Sequence, residues 1–453
     1  MNLPLDFQHL MINDLGQEEF DQLAEALSLP APTSVRINTD KAKKEELPIL
    51  DNAESVPWCK NGYYLPERPQ FTFDPLFHAG CYYVQEASSM FLAHVLQQYV
   101  KEPVKALDLC AAPGGKSTLA LSLLPQGSLL IANEAMRQRA NILAENITKW
   151  GNPNCIVTNN YAEDFQAFSN VFDLIICDAP CSGEGMFRKD INSIDEWSLA
   201  NVEVCWKRQR DIVSSIWHTL KEGGLFIYST CTYNKKEDEE NAAWIAETLG
   251  AEILSCLPAP DWSLTATNTH FYPHRTRGEG FFISILRKKS TDEDTPIIHR
   301  KKKEKKDTKK TSVPKIPTEL KGWLTSHENF SIFEEKDSFY AFPTEHLDLY
   351  RIAKNDLKML HAGIELATLK GKNLQPCQNL AMSYALNKDA FPIIEADEQQ
   401  AIAYLRTEAL QLPSDTPKGY VLICYQGHPL GFAKNIGNRA NNLYPTEWRI
   451  RKN

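Results

Sequence analysis

Two cysteines stand just past the ends of apolar runs, a placement that suits a side chain forming a temporary covalent bond to a substrate. Cys181 lies in Asp178-Ala179-Pro180-Cys181, after the run at 172–177, and Cys231 lies in Ser229-Thr230-Cys231-Thr232, after the run at 225–228. A free thiol with a pKa of about 8.5 is only ~3% ionised at neutral pH, so a reacting cysteine needs cationic or hydrogen-bonding surroundings. In sequence, Arg188 and Lys189 follow the first thiol, and Lys235 and Lys236 follow the second. One cysteine at such a place is most simply a packing residue. Two at equivalent strand ends, with Asp178 and Pro180 beside one of them, argue for chemistry.

A third motif, Cys110-Ala111-Ala112-Pro113-Gly114-Gly115-Lys116-Ser117, also follows an apolar run. It ends in the letters of a phosphate-binding loop, but that loop needs glycine where Cys110 stands. Glycines directly after a first strand still admit a ligand to the backbone, and the next helix start offers free amide donors. Glu134 closes the second strand, where nucleoside-binding sheets place an acid for ribose hydroxyls. Its plain alternative is an acid favoured by a helix dipole. Loop shape alone leaves a dinucleotide and S-adenosylmethionine both open. Cys177 with Cys181, and His270 with His274, share a spacing of four, but Cys177 belongs to a strand and Pro273 interrupts the second pair, so no metal site is predicted. Ser229 lacks the Gly-x-Ser-x-Gly elbow of a hydroxyl nucleophile.

The elements that must position these groups alternate. Strands are predicted at 104–109, 128–133, 155–158, 172–177, 225–228 and 281–286. Between them lie helices at 117–124, with Ser117 as cap, at 136–149, ended by Gly151, and at 237–249. Trp197, Val202, Trp206, Val213, Ile216, Trp217 and Leu220 recur near helical spacing and predict one helix over 194–220, stopped by Gly223-Gly224. The alternation predicts an α/β fold with a parallel sheet covered on both faces, and ligands outside the carboxyl ends of its strands. A smaller N-terminal piece carries a strand at 33–38, residues 85–98 read as a helix leading into the sheet, and another strand follows the break at 413–417. No internal repeat is evident.

A chain of 453 residues with 43% hydrophobic content can bury a large core spread over several domains. No run reaches the roughly 18 apolar residues of a membrane span, and Met1-Asn2-Leu3-Pro4-Leu5-Asp6 lacks the order of a secretion signal, so no membrane association and a cytoplasmic location are expected. Eleven cysteines without a small-domain framework suit reduced thiols. The net charge of -9 hides a basic run, Arg300 to Lys310, with a local +6 that leaves about -15 elsewhere. Such a run is a solvated linker, a phosphate contact, or both.

The motifs at 107–116, 178–185 and 228–232 together resemble the RsmB/NOP/Sun family of S-adenosylmethionine-dependent RNA cytosine-5 methyltransferases, over about residues 75 to 290. The segment 32–38 looks like the family's N-terminal accessory domain. Residues 185–190, 429–434 and 442–445 look like the bacterial RsmF branch, whose tail is similar to a PUA-like RNA-binding module. The resemblance implies a Rossmann-like methyltransferase sheet with an N-terminal α+β accessory domain and a C-terminal α+β PUA-like region. The expected division is an accessory domain at 1–75, the methyltransferase domain at 76–290, a basic linker at 291–316, an RsmF-type intermediate domain at 317–390 and the PUA-like domain at 391–453.

By the same resemblance Cys231 attacks cytosine C6, Cys181 assists proton removal and release, and Asp178 hydrogen-bonds the ring. Cys110, Ala111, Ala112, Pro113, Gly114, Gly115 and Lys116 line the cofactor, with Asp178 beside it, Glu134 on its ribose and Arg139 nearby. Many members carry an aspartate after the third strand for adenine; the matching place holds none, and Asn160 is the candidate. Phe187, Arg188, Lys189, His274, Arg275 and Arg277 are placed to meet a displaced base. The implied partner is RNA, 16S rRNA or the small ribosomal subunit, met by a monomer. A transfer-RNA methyltransferase and a noncatalytic ribosome assembly factor are the alternatives, with a DNA enzyme behind them.

Overall fold

The computed structural model describes residues 2–290 and 316–451, so the basic run at 300–310 lies outside the described residues. The chain opens with two helices, α1 (Leu5–Leu15) and α2 (Gln17–Leu27), hinged at Gly16, whose φ of 88° favours glycine. Phe7, Met11 and Leu23 on their inner faces pack against Phe187, Trp197, Tyr233 and Tyr272. A four-stranded sheet follows, ordered Glu54–Ser55, Gly62–Tyr64, Ser34–Ile37, Tyr82–Val84. Arg36 of this sheet is buried, donates to Gln85 Oε1 (2.9 Å) and Thr118 Oγ1 (2.7 Å), and lies over the Trp150 ring, tying the accessory unit to the larger one.

The central sheet has nine strands: β1 (Lys105–Asp108), β2 (Leu129–Asn133), β3 (Cys155–Thr158), β4 (Phe172–Asp178), β5 (Leu220–Thr230), β6 (Ala251–Leu254), β7 (Thr269–Phe271), β8 (Phe281–Lys288) and β9 (Met359–Ala362). Side by side they run β6-β8-β5-β4-β1-β2-β3-β9, with β7 on β8. Alternate residues point to opposite faces. Ala106, Leu130 and Leu174 meet α3 (Gly115–Leu123) and α4 (Arg137–Trp150) through Leu119, Leu143 and Ile147. Leu107, Ile131 and Ile175 meet α5 (Leu199–Ile216) and α6 (Glu239–Thr248) through Val213, Ile216 and Ile245. The chain leaves β1 toward β2 and returns to β1's other side at β4, so a crevice opens at the carboxyl ends of β1 and β4, where such sheets take ligands.

The expected parallel sheet is only its middle, β3 to β5; β8 and β9 are antiparallel to their neighbours. A hydrophobic run gives no strand direction, and β9 comes from beyond residue 316. The single helix expected over 194–220 is broken. A short helix, Asn192–Glu196, ends at Trp197 in extended backbone, and Ser198 Oγ restarts the chain as α5 by accepting from Asn201 N (3.1 Å). Gly223-Gly224 sit inside β5 at a register shift against β4, not at a helix end. Helix α3 starts at Gly115 rather than at Ser117, which is buried in its first turn. The expected helix at 85–98 begins only at Ser88, as a 3-10 turn leading into Leu92–Tyr99.

Beyond β8 the chain forms two further four-stranded sheets. One is built from Phe330–Glu335, Ser338–Pro343, Ile364–Lys370 and Asn373–Pro376, the other from Ile393–Glu395, Gly419–Tyr425, His428–Asn435 and Ala440–Asn442. Val421 and Ile423 of the last sheet share a core with Val35 and Ile37, so the two ends of the chain pack together. Among the described residues no helix is long and apolar enough to cross a membrane.

Candidate active site

The loop after β1 turns on Gly114, whose φ of +117° disfavours any side chain, and a Cβ there would come 3.3 Å from Leu143 Cδ1. Helix α4 holds the loop from outside: Arg139 Nη2 donates to Ala112 O (2.7 Å) and Asn146 Nδ2 to Pro113 O (2.8 Å). Asn133 ties three strand ends together. Its Nδ2 donates to Leu109 O (3.0 Å) and Asn160 O (2.9 Å), and its Oδ1 accepts from Thr158 Oγ1 (2.8 Å). Beneath the loop Asp108 is completely buried, with Ser117 Oγ on its Oδ2 at 2.6 Å and no partner for Oδ1. Burial above all, aided by the Asp178 charge, pushes its pKa up to about 7.

A cavity of about 800 Å³, ample for a nucleoside, opens between the ends of β1, β2, β4 and β5. It brings together Cys110, Glu134, Arg139, Asn160, Asp178, Cys181 and Cys231. From the predicted loop only Cys110 lines it. Glu134 is buried at its floor, with Oε1 accepting from Met136 N (2.9 Å) and Oε2 lacking a hydrogen bond, Arg139 Nη1 being 3.5 Å away. A buried carboxylate oxygen that has no hydrogen bond at a cavity wall is a ready acceptor for ligand hydroxyls. Asn160, the expected adenine contact, reaches the wall, with Nδ2 donating to Asp164 Oδ2 (3.1 Å) and Oδ1 accepting from Lys358 N (2.9 Å). Sequence reasoning missed Met136, Tyr161 and the α5 residues Arg208 and Asp211, which complete the lining. The apolar residues near helical spacing over 194–220 gave no sign that the polar face of α5 borders a cavity.

The two predicted cysteines meet. Cys181 Sγ lies 3.0 Å from Cys231 Sγ and accepts from Cys231 N (3.3 Å). The hydrogen bond with Cys231, reinforced by burial, pushes the Cys181 thiol well above its ordinary pKa, so it keeps its proton. Asp178 stands beside them, with Oδ2 paired to Lys116 Nζ (2.8 Å) and Oδ1 accepting from Ser229 Oγ (2.8 Å). Burial works against a charge on Lys116, but Asp178, Asp108 and the Cys231 thiol outweigh it and hold its pKa above the usual lysine value.

Lys116 is thus the cation whose charge is coupled to Cys231, whereas the cations near the cysteines in sequence are engaged elsewhere. Arg188 is buried in an ion pair with Glu279 (3.0 Å) and donates to Gly278 O (2.6 Å). Lys235 turns to Asp14 (3.4 Å), and Lys236 pairs with Glu203. Phe187 is completely buried against Phe7, not offered to a base. His274 Nε2 is 3.0 Å from Glu19 Oε1, which also binds Arg275, and Arg277 pairs with Glu54 (3.0 Å); Lys189 is exposed. His270 Nε2 is 2.8 Å from Glu239 Oε1, so the two histidines spaced by four face separate carboxylates.

This arrangement has clear relatives. The profile of 16S rRNA methyltransferase RsmB/F matches residues 94–287, that of the N-terminal domain of RsmF matches 3–87, and that of the methyltransferase RsmF PUA domain matches 391–450. The ribosomal RNA small subunit methyltransferase F of Shewanella oneidensis is 30% identical over 96% of both chains. The chain belongs to the RsmB/RsmF family of S-adenosylmethionine-dependent 16S rRNA methyltransferases. The Salmonella agona protein of the same name is 31% identical, covering 94% of this chain and 92% of its own. Among solved structures, a methyltransferase homolog from Pyrococcus horikoshii aligns with a TM-score of 0.53 and 28% identity over 62% of this chain and 94% of its own. NSun6 from the same organism, solved with SFG, aligns at 0.54 and 21% identity over 64% and 99%, a likeness of fold. The Glu134 oxygen that has no hydrogen bond and the size of the cavity fit the family's cofactor.

Proposed function

We propose that the protein methylates C5 of a cytosine in 16S rRNA by way of a covalent bond from Cys231 to C6 of the base. The observation that carries this reading is the pair of sulfurs 3.0 Å apart at a nucleoside-sized cavity, with the Lys116–Asp178 ion pair beside them. Cytosine C5 is a poor nucleophile until a thiolate adds at C6. Lys116 favours the thiolate at Cys231, and the Cys181 thiol, which keeps its proton, donates to that sulfur. Asp178 accepts from the protonated ring N3 as the sulfur attacks. Bound S-adenosylmethionine supplies an electrophilic methyl group; Cys110, Glu134 and Arg139, with the 111–116 loop, are the residues proposed to hold it. A water molecule then takes the C5 proton, the C5–C6 double bond re-forms as the C6–S bond breaks with its electrons returning to the Cys231 sulfur, and the Cys181 thiol assists by donating to that departing thiolate.

We place the reaction in the cytoplasm, carried out by a monomer on RNA of the small subunit, with the C-terminal module as an RNA contact. The test is to incubate the protein with labelled S-adenosylmethionine and 16S rRNA, assembled small subunits or transfer RNA, and map 5-methylcytosine by bisulfite sequencing. Label in 16S rRNA, free or assembled, is expected. Label confined to transfer RNA would redirect the substrate, and none would leave an assembly factor.

A further inference from the structure

Behind the thiol pair, two carboxylates reach between the cysteine loops in opposite directions. Glu184, three residues past Cys181, accepts from the backbone N–H of Tyr233 (2.7 Å) and Asn234 (3.0 Å) on the loop of Cys231. Glu237, beyond Cys231, accepts from Ser182 N (3.1 Å) beside Cys181. The Asn234 side chain spans both, its Nδ2 donating to Glu184 Oε1 and to Glu237 Oε1 at 2.9 Å each. Trp197 Nε1 donates to Glu184 (3.0 Å), and Gln209 Nε2 joins Glu237 (2.6 Å) to Pro180 O (3.1 Å). A last link, Gly185 N to Cys231 O at 2.8 Å, leaves no room for a side chain, since a Cβ there would lie 2.6 Å from Gly280 O and 2.9 Å from Cys231 O.

Both carboxylates are completely buried, and neither lines the cavity. Buried acids are costly, and the Glu237 charge also opposes ionisation of Cys181. Apolar packing could join two loops without that cost. What apolar packing cannot do is fix direction, whereas crossed hydrogen bonds from each loop to the other's backbone leave the two sulfurs little freedom to separate.

We propose that Glu184 and Glu237 are positioning residues, whose crossed hydrogen bonds hold the Cys231 sulfur at the place from which it adds to the base. They act through the cysteine loops and touch neither cofactor nor RNA. The proposal rests on Cys231 being the attacking thiol, so its test has one readout that depends on attack and one that does not.

The variant is Glu184→Gln, which keeps the shape but turns one acceptor into a donor facing N–H groups. The first readout is the single-turnover rate of adduct formation on RNA carrying 5-fluorocytosine, a base that blocks release. Since displacement of about 1 Å costs on the order of 10²-fold, a loss near that size is expected, with dissociation constants for S-adenosylmethionine and RNA within about threefold of wild type. The second readout is the rate at which diamide oxidises Cys181 and Cys231 to an intramolecular disulfide, the two thiols giving up their protons and two electrons to the reagent's azo bond. It should fall about tenfold or more. Unchanged rates in both assays overturn the proposal, as does a loss that only tracks lowered melting temperature or weakened cofactor binding. Should Glu184→Gln not fold, Glu237→Gln, which loses the bond from Ser182, carries the same two measurements. If wild-type protein forms no adduct, the attack by Cys231 fails, while the disulfide rates still decide the positioning.

Discussion

Two pairs of cysteines stand at neighbouring strand ends, and their surroundings differ. Cys110 hydrogen-bonds Cys177 at the ends of β1 and β4, with Glu134 and Asp108 nearby; the Cys177 contact first, then burial, push the Cys110 thiol well above its ordinary pKa. Cys181 and Cys231 meet just beyond β4 and β5, where Lys116 interacts with the Cys231 sulfur and pairs with Asp178. A pair of cysteines is common to both places. The difference is a cation, Lys116 in the first turn of α3, which pairs with Asp178 beside the second pair.

The largest break in that comparison is Cys231→Ala, expected to lower methyl transfer by ~10⁴-fold or more, while Cys110→Ser stays within about tenfold of wild type. Initial rates with labelled S-adenosylmethionine measure both, and equal losses would erase the distinction. Next is Cys181→Ala, in which attack proceeds and release does not. A protein–RNA adduct that survives denaturation should accumulate on gels, and an adduct that instead needs Cys181 would reverse the two roles. Lys116→Met should cost roughly 10²-fold. Removing a positive charge makes the thiolate harder to form, so the rising limb of the rate–pH profile moves to higher pH; movement to lower pH would contradict the part given to Lys116.

The smallest effect concerns the acid under the loop. Asp108, raised from 3.8 to about 7 in the folded protein, favours folding while protonated. That contribution is whole below pH 3.8 and is lost as pH rises through about 7. Asp108→Asn stays neutral throughout, so at pH 8 its melting temperature should exceed that of wild type by roughly 2–4 °C, with little difference at pH 5. Thermal melts at the two pH values decide this, and a variant less stable at pH 8 would count against a raised pKa at the buried Asp108.

Much of this was legible in the residues. The runs before Cys110, Cys181 and Cys231 read as buried strands, and the alternation put Cys181 and Cys231 at one edge of a parallel sheet; that β4 and β5 are neighbours, which brings the sulfurs together, is seen in the structure. Glu134 fell where its strand position put it. What stayed hidden depends on distant chain. Arg188, Lys235 and Lys236 look like thiol partners because they are near in sequence, yet Glu279, Asp14 and Glu203 claim them from other elements. The commitment of Asn160 to Lys358 could not be foreseen either, because the strand that follows Lys358 joins the sheet edge from some 200 residues away. Phe187 looked like an exposed aromatic until the N-terminal helices covered it.

The most direct test is to trap the protein on RNA containing 5-fluorocytosine and identify the modified residue by peptide mass spectrometry. A base attached to Cys231 is the predicted result. A base attached to Cys181 or Cys110 would contradict the assignment of the nucleophile and, with it, the meaning given to Lys116.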